Sequence, residues 1–147
     1  MIKKRSANVL IFNSKHELAL QLRAANDDSY PSHWDFSAAG GIDSGEEPEA
    51  SASRELREEI GVNANLTFVT ERLCEFPAWG TSEPREDYVY LYKAHHDGDF
   101  SIDSNEVQAI RFFTIDEIDS MMKSGEKFHP EFKYFWDEGI ILSASKD

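Results

Sequence analysis

Apolar residues recur along this chain with two different periods, and each change of period marks a new element. Residues 5–12 and 17–23 are apolar-rich runs separated by the polar turn Asn13-Ser14-Lys15-His16, which predicts two strands of a hairpin with Arg23 closing the second. Residues 24–33 are small, polar and broken by Pro31, so they predict a loop that delivers a short strand at Trp34-Asp35-Phe36-Ser37. From Pro48 the apolar positions move to steps of four, Ala52, Leu56 and Ile60, the stripe of a helix that buries one side against a sheet. Pro48 is tolerated in a first turn, where its missing N–H has no partner, and Gly61 suits the left-handed residue that ends a helix. Residues 66–76 then predict a strand, and residues 77–84 a loop with two prolines and a glycine. In residues 87–94 Tyr88, Tyr90 and Tyr92 alternate with Val89, Leu91 and Lys93, the period of a strand with an aromatic face. Residues 107–114 predict a further strand, and Thr114-Ile115-Asp116-Glu117 is a capping box opening a helix to about Lys123. Phe128, Phe132, Phe135 and Trp136 fall at helical spacing on a closing helix and read as core contacts rather than a ligand box.

Composition narrows the class. A chain of 147 residues, 40% of them hydrophobic, is long enough for one domain with a real core and short for two, so residues 1–147 are read as a single domain. A net charge of -13 argues against nucleic acid and anionic membranes as partners, because polyanions are repelled. A phosphate substrate would need a metal to screen it. The single Cys74 excludes an intrachain disulfide framework, no Cys/His set has zinc spacing, and a cytoplasmic location is expected. The apolar run at 9–12 is shorter than a signal segment, and no stretch approaches a membrane span.

The charge on the predicted helix is what needs explaining. Glu55, Glu58 and Glu59 fall at i, i+3 and i+4 and share one face, where like charges weaken a helix by about 0.2–0.5 kcal/mol per pair. A solvated acidic face is one reading. A divalent cation is the other: hard carboxylate ligands select Mg2+ or Mn2+, which neutralises phosphoric anhydrides and lowers the pKa of water. Residues 97–103 invite comparison with a calcium loop, but Ile102 stands where that loop needs Gly and Gln108 where it needs the bidentate Glu, so that reading is rejected. His95 and His96 have no partner at ligand spacing and read as exposed turn residues.

The order of residues favours the metal. Gly40, five residues, Glu46, seven residues, then Arg54-Glu55-Leu56-any-Glu58-Glu59-any-Gly61-Val62 closely resembles the signature of the Nudix hydrolases. This resemblance implies an α/β fold, the Nudix α/β/α sandwich with a mixed β-sheet. It also implies a Mg2+-dependent (Mn2+ possible) hydrolase that cleaves a phosphoric anhydride in a nucleoside diphosphate linked to another moiety. Glu55, Glu58 and Glu59 match the family's metal-binding glutamates, with Glu58 and Glu59 the leading pair. Glu46 matches the upstream box glutamate, and the carbonyl of Ala39 is a further metal ligand by resemblance. Arg54 is expected to orient the carboxylates through paired hydrogen bonds. The general base is a box glutamate or a distant loop glutamate; Glu106, six residues before Phe112, is the loop candidate, with Glu86 behind it, and a solvated turn residue is the alternative for Glu106. Arg23 and Arg85 could neutralise phosphate from the sheet end and the loop respectively, or be surface arginines. Trp79, in a loop, could stack on a substrate base or cover the core edge, and the strand tyrosines read mainly as core.

Two rival functions remain in view. Trp34 and the short strand before the box look like the isopentenyl-diphosphate isomerase branch, which needs a cysteine just ahead of the box. Here Ser37-Ala38-Ala39 occupies that place and Cys74 lies beyond the helix, so no isomerase activity is expected. A non-catalytic Nudix-like module typically loses box carboxylates, and this box is complete. Substrate specificity is expected in loops 24–33 and 77–86, and a homodimer is left open.

Overall fold

In the computed structural model, which describes residues 1–146, the elements follow the order β1 (Ile2–Phe12), β2 (Leu18–Arg23), β3 (Trp34–Asp35), β4 (Ala38–Gly41), α1 (Pro48–Ile60), β5 (Thr67–Pro77), β6 (Pro84–His95), β7 (Val107–Phe113), α2 (Ile115–Lys123), α3 (Pro130–Asp137) and α4 (Ile140–Ala144). β1 is the organising strand. It pairs in parallel with β6 over its whole length, from Ile2↔Arg85 to Phe12↔His95, and β6 pairs antiparallel with β5. The other edge of β1 is taken by β4, antiparallel from Ser6↔Gly41 to Val9↔Ala38. One sheet therefore mixes parallel and antiparallel ladders.

The expected hairpin of β1 and β2 is corrected here. The two strands meet only at Phe12↔Leu18, because β4 occupies the rest of that edge, and β2 instead pairs along its length with β7 and at its end with β3. The short strand ahead of the box is likewise two strands. The chain leaves β2 after Asp35 and joins β1 at Ala38, and Ser37 fastens the crossing: its hydroxyl donates to the Ala19 carbonyl at 2.6 Å and accepts from the Ile11 N–H at 2.8 Å. The loop after β5 is shorter than expected, since the ladder runs out to Pro77↔Pro84 and both prolines end strands. The closing helix is broken at Gly139, whose φ of 76° is left-handed.

Period two along β1 divides the core into two layers. Ala7, Val9 and Ile11, with Ala19 and Ala38, face the α1 stripe of Ala52, Leu56 and Ile60, and the small side chains let the helix lie close. Leu10 and Phe12, with Leu18, Leu20, Val89 and Leu91, face Ile118 and Met121 of α2, Phe132 and Phe135 of α3 and Ile141 of α4. The result is the expected α/β/α sandwich. Thr114 and Glu117 form the predicted reciprocal cap on α2. Phe132 and Phe135 are fully buried and Trp136 packs on the same core, while Phe128 lies before α3 and bridges Trp34.

Candidate functional site

Packing of the apolar stripe fixes the rotation of α1. Glu55 and Glu59, each beside a stripe residue, are turned inward and are 8% and 5% exposed, whereas the Glu58 side chain is 55% exposed. The C-terminal end of α1 is held by the connection from β6 to β7. Ser101 N–H donates to the Ile60 carbonyl at 3.0 Å and Asp103 N–H to the Glu59 carbonyl at 3.2 Å. A Cβ on Gly61 would lie 2.8 Å from the Ser101 Cβ, so this docking needs glycine, which the left-handed φ of 69° also favours. Docking carries Glu106 to the helix. Carboxylate oxygens of Glu55, Glu59 and Glu106 lie within 4.8 Å of one another.

The surroundings hold these carboxylates in place. A Cβ on Gly40 would sit 2.2 Å from Cδ of Glu55, so only a glycine there leaves room for that carboxylate against β4. Glu59 Oε1 accepts from Gln21 Nε2 at 2.9 Å and from the Ala39 N–H at 3.1 Å. Arg54 binds Glu46 through both oxygens, at 2.9 and 3.0 Å, and also donates to Glu55 at 2.7 Å, Glu58 at 3.3 Å and the Gly41 carbonyl at 3.3 Å. The Arg54 bond holds the Glu46 carboxyl down at about 2, despite the opposing effect of desolvation, and the same bonds raise the Arg54 guanidinium further. Burial, and then the neighbouring Glu55, push Glu59 well above the usual carboxylate range. Burial also raises Glu106, reinforced by Glu55, Asp103 and Glu58.

Two buried carboxylates this close need a shared proton or a cation between them, and three converging hard oxygens suit a divalent ion. The donor set thus fits Mg2+ or Mn2+. Glu58 stands at its rim, on Arg54, rather than inside the triple, and Ala39 touches the cluster through its N–H to Glu59.

A second polar region lies next to this cluster. A cleft of about 280 Å³ is lined by residues including Ala39, Gly40, Asn8, Arg85, Asp87 and Glu131. Arg23 and Arg85 both line it. The Arg23 guanidinium is committed to Asp35 at 3.0 Å, Asp27 at 3.2 Å and the Ser29 carbonyl. Arg85 lies on β6 rather than in a loop, because the β5–β6 ladder extends past it; it sits over the Phe76 ring and 3.4 Å from Asp87. Trp79 is exposed but leans on Tyr30 and His33, with ring centroids 4.9 and 5.2 Å away, and is not among the cleft-lining residues. Tyr92 is buried on the α1 face beside half-buried Tyr90. His95 and His96 are exposed, His95 pairing with Asp97 at 2.6 Å. Glu86 is half-buried on β6 and is not among the cleft-lining residues. Sequence reasoning passed over Gln21, Asn8, Asp87 and Glu131. The available signals were polar residues on a core-facing period: Asn8 two before Leu10 and Asp87 two before Val89, with Glu131 four before Phe135.

The comparisons agree with this geometry. A sequence profile of the NUDIX domain matches residues 2–134. An uncharacterised Nudix hydrolase of Listeria monocytogenes is 33% identical over 125 residues, covering 85% of this chain and 71% of that protein. An RNA pyrophosphohydrolase of Acidiphilium cryptum is 36% identical over 106 residues, 71% of this chain and 57% of its own length. Among solved structures, a MutT protein from Methanosarcina mazei superposes with a TM-score of 0.80 at 19% identity, covering 99% of this chain and 97% of that one. The chain belongs to the Nudix family, and it is a hydrolase acting on pyrophosphate bonds.

Proposed function

We propose that the protein is a Mg2+-dependent hydrolase that cleaves the anhydride of a nucleoside diphosphate linked to another moiety. The observation that carries this reading is the convergence of Glu55, Glu59 and Glu106 within 4.8 Å beside the backbone notch at Gly40. Glu55 and Glu59 hold the ion, with Glu58 and Ala39 at its margin. When bound, the ion supplies charge neutralisation at the anhydride and lowers the pKa of the attacking water. Gln21 and the Ala39 N–H keep one oxygen of Glu59 fixed, and Arg54 keeps Glu55 and Glu46 fixed, so the oxygens need not reorganise as the reaction proceeds. Glu106, exposed to solvent and with a carboxylate oxygen within 4.8 Å of both, takes the proton of the water.

An isomerase reading lacks the cysteine it needs just ahead of the box, where Ser37-Ala38-Ala39 stands. Both hydrogen-bonding roles of the Ser37 hydroxyl are spent on the Ala19 and Ile11 backbone. Cys74 is buried in the core, and burial, with Glu131 and Asp87 nearby, pushes its thiol up to about 12. The test is turnover of a nucleotide panel with Mg2+ and with a chelator, for the wild type and for Glu59→Gln. Phosphate or nucleoside monophosphate release that needs Mg2+ and is lost in the variant is expected; unchanged turnover of Glu59→Gln would overturn the metal assignment.

A further inference from the structure

Among the described residues three that are not glycine have left-handed φ, and two of them, Tyr30 at 50° and Ser32 at 56°, stand in the loop between β2 and β3. A Cβ is crowded in this conformation, which persists only where the surroundings enforce it. The Tyr30 ring is buried against His33, Phe76 and His129, and its hydroxyl donates to the Pro77 carbonyl at 2.5 Å. The Arg23 guanidinium draws in Asp27 and the Ser29 carbonyl. The Ser32 N–H donates to the Arg23 carbonyl at 3.2 Å and the Arg23 N–H to the His33 carbonyl at 3.0 Å, which closes the loop on itself. The loop is thus a braced strap, and Ser32 stands left-handed at its closing end.

The closed strap meets β7, which begins one residue after Glu106. The ladder of β7 with β2 slips at this point: Leu22 pairs with Ala109 and Arg23 with Val107, so Gln108 is an extra residue bulged out of the pairing. Bulges of this kind re-aim side chains beside active sites. Here the bulge gives the place opposite Arg23 to Val107, which is fully buried, and leaves Gln108 exposed. The Gln108 side chain rests on the strap, its Nε2 donating to Ser32 Oγ at 3.3 Å and to the Arg23 carbonyl at 3.5 Å. On the other side, the Glu106 and Val107 N–H groups donate to the Asp103 carbonyl at 2.9 and 2.8 Å, and Asp103 is itself docked on the end of α1. Glu106 is therefore held between two supports, the docked turn before it and the bulge resting on Ser32 after it. A glycine at position 32 would take the same backbone without crowding, so the serine is explained by its hydroxyl and not by its backbone.

We propose that Ser32 and Gln108 are positioning residues for Glu106: the strained serine carries the hydroxyl on which the bulge rests, and the bulge keeps the Glu106 carboxylate at the cluster. The proposal rests on the reading of Glu106 as the group that takes the proton of the water. It is tested by kinetics with Mg2+ on whichever of ADP-ribose, NADH, diadenosine tetraphosphate and ATP the wild type hydrolyses fastest, with melting temperature and Mn2+ broadening measured alongside. Ser32→Gly is expected to lower kcat about three- to tenfold, the worth of one hydrogen bond, with KM and Mn2+ binding unchanged and the melting temperature not lowered. Gln108→Ala should lower kcat by the same factor and the double variant no further, because both remove one contact. Ser32→Asn tolerates the left-handed conformation and restores an acceptor oxygen, so it should recover turnover. Glu106→Gln should lose about 100-fold or more. If Glu106→Gln loses turnover while Ser32→Gly and Gln108→Ala keep it, the positioning role is overturned and Glu106 keeps its own. Losses that multiply in the double variant, or a melting temperature that falls with kcat, would overturn the positioning role as well. Turnover retained in Glu106→Gln would overturn the reading of Glu106 and the proposal with it.

Discussion

The molecule carries two buried acidic groupings, one against Gly40 and one in the cleft that Gly40 also lines, and they are built in opposite ways. Glu55 and Glu59 come from adjacent turns of one helix, and their hydrogen-bond partners, Arg54, Gln21 and the Ala39 N–H, fix two carboxyl groups whose charges oppose each other. Asn8, Asp87 and Glu131 come from β1, β6 and α3, with Asn8 and Glu131 separated by 123 positions, and Glu131 is held by Asn8 on one side and Asp87 on the other. The first grouping is a charge problem and the second a hydrogen-bonding problem. A cation answers the first; a proton held between Glu131 and Asp87 answers the second.

The largest expected effect separates the two by what each variant removes. Glu59→Gln should lower turnover of every substrate by more than about 100-fold, beyond the 10–100-fold usual for groups that only orient a metal ligand, and should weaken Mn2+ binding followed by paramagnetic broadening. Glu131→Gln should instead act chiefly on stability and leave Mn2+ binding at the cluster unchanged. Equal losses in both variants across the whole panel would erase the distinction.

Gly40→Ala should follow, with a loss of about 10–100-fold in turnover, because its Cβ meets the Glu55 carboxylate at 2.2 Å. That carboxylate is the end of a flexible side chain and can swing away, so the melting temperature should fall by no more than about 2–4 °C. A large drop in melting temperature with turnover preserved would show that the notch serves packing rather than the carboxylate.

Arg54→Lys should cost about tenfold, since an ammonium cannot make the paired bond to both Glu46 oxygens while also reaching Glu55. Retained turnover would remove Arg54 from the positioning scheme.

The smallest effect is on stability against pH. Glu59 and Glu131 both have raised folded pKa values, so their contribution is complete below the ordinary glutamate value of 4.5 and is lost as pH rises toward and through the folded value. His129, lowered to about 4 by burial, runs the other way below its ordinary 6.5, so the comparison is made as a difference between variant and wild type. With a chelator present, Glu59→Gln and Glu131→Gln should each flatten the decline in melting temperature above pH 4.5. Added Mg2+ should restore wild-type stability at the Glu59 cluster and leave the Glu131 part of the decline in place. Mg2+ abolishing both parts would mean that the two groupings act as one site.

The two regions also differ in how far they could be read without a structure. The helix from Pro48, its stripe, its glycine exit and the carboxylates on it were legible because they depend on residues within a few turns of each other. Glu106 was legible through the family pattern, although the reason it reaches the helix, the docking of residues 101–103 on the end of α1, is tertiary. The full hairpin of β1 and β2 is not legible, because adjacency along the chain does not say that β4 takes the edge of β1. The strand position of Arg85 is not legible either, because two prolines look like breakers while in the ladder they stand at its last pair.

By itself, then, the sequence determined the local elements and the acidic box, since helical period, caps and motif spacing act over short distances. Only the tertiary structure decided that Glu55 and Glu59 turn inward while Glu58 stays at the rim, because that choice depends on which side of α1 the small residues of β1, β2 and β4 accept. It alone also decided the polar cleft. Ser6, Asn8, Asp87 and Glu131 are unremarkable one by one, and they become a buried polar network when a parallel pairing of β1 with β6 and the start of α3 bring them together.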